Sequence, residues 1–146
     1  MQESVVGDAA AGRFYDRLRA SGLSSSALAY GDAYIGQECT LTADEIGDFA
    51  RRAGIVAGTS VLDIGSGTGG LACYLARNFG CRVLGVDVSI VGHAQAETRA
   101  RESGLNHLAK FRHGDIHALE RLEMSQHLAS TGVLGQFGCI AVKPLG

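Results

Sequence analysis

Residues 61–70 read Val-Leu-Asp-Ile-Gly-Ser-Gly-Thr-Gly-Gly, and no other run constrains the fold as tightly. Residues 60–64 have the apolar, β-branched character of a buried strand. The glycines that follow form a tight loop, and the loop opens onto residues 70–79, a helix with Leu71, Tyr74, Leu75 and Phe79 for packing and Gly80 as its stop. A second strand is expected over 82–87. Ser89 caps a third helix over about 91–103, closed by Gly104, and a third strand follows at 109–113. Strand, helix, strand, helix, strand in that order predicts an α/β fold with a parallel sheet and crossover helices.

The flanking segments carry weaker signals. Residues 1–12 are rich in Ala and Gly and read as a loose end. Residues 13–20 suit a short helix, and the serines at 24–26 suggest a loop. Thr42 and Glu45 form a capping box, with Ile46, Phe49, Ala50 and Ala53 at helical spacing and Gly54 as the stop. Residues 117–129 are weakly helical, and 136–142 form a candidate fourth strand ended by Lys143 and Pro144. Segment 1–41 is expected to be a lid, and 42–146 the ligand-binding domain.

Composition removes several classes. The chain of 146 residues has 13 basic and 15 acidic side chains, which disfavours a strongly basic nucleic-acid binder. No apolar run approaches the ~20 residues of a membrane helix. The first residues lack the pattern of a secretory signal, so a cytoplasmic location is expected. Cys39, Cys73, Cys81 and Cys139 show no CxxC spacing and read as reduced, mostly buried thiols, with no zinc site.

The glycine loop lies where open α/β sheets bind nucleotide-like ligands. Gly65, Gly67 and Gly70 also satisfy GxGxxG, the dinucleotide fingerprint, and Asp87 at the end of the second strand suits a ribose in either case. Asp63 does most of the deciding. Beside a pyrophosphate it would be a like charge at low dielectric; beside an ammonium or sulfonium it is favourable. No Lys or Arg occurs from 53 to 76 to compensate a phosphate. A nucleoside ligand carrying positive charge is preferred, and S-adenosylmethionine fits that description.

Residues 61–69 resemble motif I of the class I S-adenosylmethionine-dependent methyltransferases. Residues 83–89, with Asp87, resemble the next motif, and His113-Gly-Asp115-Ile116 the one after the third strand. Upstream, Tyr30-Gly-Asp-Ala-Tyr34-Ile-Gly36 is similar to the small-molecule branch of phosphoethanolamine and sarcosine type. The resemblance implies a Rossmann-like three-layer fold with a helical N-terminal lid. It also implies transfer of a methyl group to a small-molecule acceptor. Asp63 would accept hydrogen bonds from the cofactor's amino-acid portion. Gly65, Ser66 and Gly67 would offer close backbone contact, and Thr68 and Gly69 would continue the turn into the helix. Asp87 would hold the ribose, Val88 would pack on adenine, and Asp115 and Ile116 would read the adenine edge. Tyr34, Ile35 and Gly36 would lie near the methionine end.

Blander roles stand beside these. Asp63 can cap a helix turn, Asp87 and Asp115 can be turn residues, and Tyr15, Tyr30 and Tyr34 can simply pack. His113 and His117 lack a third metal ligand, and no metal is expected. Arg51, Arg52, Arg99 and Arg101 read as solvated helix faces. No catalytic base is assignable.

The family pattern fails after the third strand. Phe137-Gly138 stands where Phe-Asp is expected, and strands five to seven are not found. The expectation is a sheet truncated after strand three or four, whose open edge invites a second copy or another partner as cover. A non-catalytic cofactor-binding remnant, or a partner of a complete methyltransferase, is the alternative from another class. A nicotinamide-dependent oxidoreductase is a third.

Overall fold

The computed structural model describes residues 25–37, 39 and 41–115, isolated positions 13, 16, 17 and 20–22, and the backbone of strands 133–134 and 139–143. Four helices are described in full: α1 (Ser25–Tyr30), α2 (Ala43–Arg52), α3 (Gly70–Phe79) and α4 (Ile90–Glu102). A 3-10 turn, Gly31–Ala33, follows α1. The strands are β1 (Ser60–Ile64), β2 (Arg82–Asp87), β3 (Ala109–His113), β4 (Val133–Leu134) and β5 (Cys139–Lys143). Residues 1–12, the 117–129 helix expectation, Tyr15, Ile116 and His117 lie outside the described residues.

Local chemistry accounts for the element ends. Thr42 accepts from the Glu45 backbone amide while the Glu45 carboxylate accepts from the Thr42 amide, so both halves of the expected capping box are present. Those bonds also hold the Glu45 carboxyl below its ordinary value. Ser89 caps α4 by accepting from Gly92, 2.9 Å. Helix α1 corrects the expected loop at Ser25 and Ser26, while Ser24 lies outside the described residues. After its serines come Ala27, Leu28 and Ala29, which are strong helix formers, and the serines start the helix without breaking it.

The sheet order is β3-β2-β1-β5-β4. β1, β2 and β3 are parallel, with Asp63 opposite Gly85 and Val86 opposite Arg112. The strand expected at 136–142 appears as β5, but it pairs with β1 in the antiparallel sense and forms a mixed sheet. The two-residue β4 then pairs with β5 and forms the edge of the sheet on that side. Sequence alternation has the same period in either direction, so it cannot report strand sense.

The core lies mainly on one face of the sheet. Val61 and Val83 pack there with Ile46 and Ala50 of α2, Leu75 and Ala76 of α3, and Ala100 of α4. Leu62 and Val86 form a smaller cluster on the opposite face. Burying a side chain such as Leu75 contributes roughly 1.5–3 kcal/mol. No helix among the described residues is long and apolar enough to cross a membrane.

Candidate functional site

Strand β1 ends with one carboxylate sunk into this core. Asp63 is 1% exposed, and its Oδ2 finds no hydrogen-bond partner among the described residues. Burial, with the nearby Asp87 charge adding to it, pushes its carboxyl up to about 7. An orphaned, buried carboxyl oxygen at the carboxyl end of a parallel strand calls for a donor or a cation.

The loop after β1 is held from within. The amides of Gly65 and Ser66 both donate to the Val86 carbonyl, at 2.7 and 3.1 Å. Gly67 donates to Asp87 Oδ2 at 2.7 Å, and Gly69 donates to the Ser66 carbonyl. Gly67 has a φ of 54°, left-handed backbone that suits glycine, and this aims its amide at Asp87. These four amides are therefore spent internally, whereas a pyrophosphate site needs them free. The loop favours the sulfonium class of ligand over the dinucleotide class on this ground as well.

Asp87 is 7% exposed and braces both sides of the site. Its second oxygen accepts from the Ser89 amide at 2.8 Å, and its carbonyl accepts from Gly114. The loop carrying Asp115 is thereby drawn to the end of β2, and Asp115 is half-buried there. His113 is exposed and meets the Val88 carbonyl at 3.1 Å, with its ring 6.5 Å from that of His93.

The expected lid residues reach the loop. Gly36 is buried, and Tyr34 and Ile35 are half-buried. A Cβ on Gly70 would lie 2.3 Å from the Gly36 carbonyl carbon and 2.3 Å from the Ile35 oxygen. Segment 35–36 and helix α3 therefore meet backbone to backbone. Replacing Gly70 with Ala is expected to open this seam at a cost of about 1–3 kcal/mol. Faster limited proteolysis near residues 34–37, with the strand core intact, is the measurement. An unchanged digestion rate and melting temperature would show that the seam gives without strain.

Three contributing residues escaped the sequence reading. Gln37, 2% exposed, accepts from the Ile35 amide at 2.7 Å and so shapes the lid turn. Asp16 accepts from Ser89 Oγ at 2.6 Å and from the Val91 amide at 3.1 Å, tying the first segment to the start of α4. Arg99 is not the solvated residue it was expected to be: its Nε donates to the Thr68 carbonyl at 2.9 Å. Arg51, Arg52 and Arg101 are exposed, as expected. Arg99 also brings a cation to the loop, which the lack of Lys or Arg from 53 to 76 does not reveal. Asp63 and the occupied amides, rather than an absence of positive charge, carry the choice of ligand. Proximity across 31 residues of sequence leaves no local signal for Arg99.

Known proteins share the sequence pattern and the fold. YjhP, an uncharacterised protein of Escherichia coli, is 36% identical over 83 residues, covering 55% of this chain and 34% of YjhP. Its X-ray structure aligns with a TM-score of 0.51 at 31% identity, over 59% of this chain and 35% of that one. A glycine/sarcosine/dimethylglycine N-methyltransferase of Actinopolyspora halophila is 36% identical over 85 residues, 57% of this chain and 15% of that protein. A SAM-dependent methyltransferase of Thiobacillus denitrificans, solved with S-adenosyl-L-homocysteine, is 36% identical over 49% of this chain and 29% of that one, with a TM-score of 0.46. The chain spans about a third or less of the length of these relatives. The family described as "Methyltransferase domain" matches residues 61–137, more than half of the chain. The parallel three-strand sheet, its crossover helices and the glycine loop at the end of β1 are thus those of a Rossmann-like methyltransferase fold, and the chain belongs to the methyltransferase domain family.

Proposed function

We propose that this chain binds S-adenosylmethionine and takes part in methyl transfer to a small-molecule acceptor. One observation carries the reading: the buried, unpartnered Oδ2 of Asp63, beside a loop whose amides are already occupied. That site suits a ligand bringing an ammonium and a nucleoside, and it repels a phosphate. The cofactor supplies an electrophilic methyl group on a sulfonium.

This chain's residues bind and position. Asp63 faces the ammonium, and Gly65, Ser66, Gly67, Thr68 and Gly69 supply a close-packed floor. Asp87 would hold the ribose, Val88 would pack on the adenine, Asp115 would read its amino group and Ile116 would donate its backbone amide to the same edge. Tyr34, Ile35 and Gly36 cover the methionine end, with segment 1–41 as lid over domain 42–146. Most of the rate gain expected from such a site comes from alignment of acceptor and methyl. The small acceptor is favoured by the similarity to an N-methyltransferase of glycine and sarcosine and by the backbone-to-backbone lid seam. A cytoplasmic setting is in keeping with the free state of Cys39, Cys73 and Cys81. A second copy or another partner across the sheet edge belongs to the same proposal.

Calorimetric titration of the whole chain with S-adenosylhomocysteine tests the reading, with NADH as the counter-probe. The expected result is micromolar binding of the first and none of the second. A folded chain that binds NADH and not S-adenosylhomocysteine would overturn it. Binding without turnover on a panel of amine, hydroxyl and carbon acceptors would favour a non-catalytic cofactor-binding role.

A further inference from the structure

Arg99 touches both sides of the seam between lid and loop. Its Nε donates to the Thr68 carbonyl at 2.9 Å. Its guanidinium lies flat against Gly36: a Cβ there would meet Cζ and Nη2 at 2.7 Å and Nη1 at 2.9 Å. Thr68 in turn donates its hydroxyl to the Gly36 carbonyl at 3.3 Å, in a buried position. Helix α4, the glycine loop and the lid are joined in one triangle whose only long side chain is Arg99.

We infer that Arg99 is a positioning residue that straps lid residues Tyr34 to Gly36 onto the glycine loop and so governs how long the cofactor stays bound. The residue need not touch the cofactor. The planar guanidinium does two jobs that a Lys ammonium cannot combine: it holds a carbonyl and plates a glycine. Gly36, with a φ of 90° and no side chain, leaves the room for that plate. The inference rests on the S-adenosylmethionine reading for its kinetic consequence, but the strap itself exists in the ligand-free chain.

The experiment uses the whole chain carrying Arg99→Met, which keeps the aliphatic stem and loses the donors, and Arg99→Lys. Two quantities are read: amide exchange over residues 34–37 without ligand, and the dissociation rate of S-adenosylhomocysteine. In Arg99→Met both are expected to rise about tenfold, the net worth of one charged hydrogen bond, with the association rate and melting temperature little changed. Arg99→Lys, which keeps the charge and loses the plate, is expected to fall between. Should Arg99→Met fail to fold, Thr68→Val cuts the same triangle from the loop side and is expected to speed exchange over the same residues. Unchanged exchange over 34–37, with a lower melting temperature, would overturn the inference and leave Arg99 as a brace for α4. If the unaltered chain binds no S-adenosylhomocysteine, the cofactor reading fails, and the ligand-free exchange still decides the strap.

Discussion

Asp63→Asn is expected to make the ligand-free chain more stable at pH 8 and to weaken S-adenosylhomocysteine binding about 100-fold, the loss of a buried charged partner. The two effects share one cause. Burial and the Asp87 charge raise the folded-state carboxyl of Asp63 from 3.8 to about 7. The folded chain therefore holds this proton more tightly than the unfolded chain. As pH rises from about 4 to about 7 the unfolded state ionises first, so stability falls through that window; above it the full cost of a buried carboxylate is present. At 1.36 kcal/mol for each pKa unit, that cost is roughly 4 kcal/mol. Asn has the same shape and no charge, so it escapes the cost but offers nothing to an ammonium. Urea unfolding at pH 8 and at pH 4.5 checks the first half. A stability gain that is absent at pH 8, or equal at both pH values, would sink it. Titration with S-adenosylhomocysteine at pH 8 checks the second half.

Asp87→Ala is expected to cost about 3 kcal/mol of stability as well as cofactor affinity, because its two oxygens are the acceptors of buried amides on both flanks of the site. Gly67 and Ser89 would each keep a donor without a charged acceptor. One term acts the other way: the like charge that helps to raise Asp63 disappears, so the Asp63 carboxyl moves back down and part of its burial cost is relieved. The net loss should therefore be smaller near pH 8 than near pH 5, where Asp63 is already neutral. Denaturant unfolding at both values measures this. Equal stability in variant and parent would show that the loop keeps its shape without Asp87.

The frame from β1 to β3 was legible because each of its ends is written locally. Thr42 with Glu45, Ser89, and the glycines at 54, 80 and 104 are short-range signals, and each marks an element end in the fold. Asp63 stands out in the sequence because a carboxylate in an apolar strand contradicts its surroundings, and the structure buries it at 1% exposure. Gln37, Asp16 and Arg99 do not stand out. Asp16 and Ser89 meet across 73 residues, and no spacing rule reaches that far. The sense of β5 was equally hidden, since a strand presents the same alternation whichever way it runs.

The seam between Gly70 and Gly36 is made of main chain on both sides. Main chain carries no side-chain identity, so such a contact sets the height and angle of the lid while leaving its outward residues free to differ. A segment with another outward surface fits the same glycine loop, provided that these two positions stay glycine and a flat cation lies beneath. Grafting is then a matter of matching two backbones at one point, and the outward chemistry can be rewritten without disturbing the loop at the end of β1.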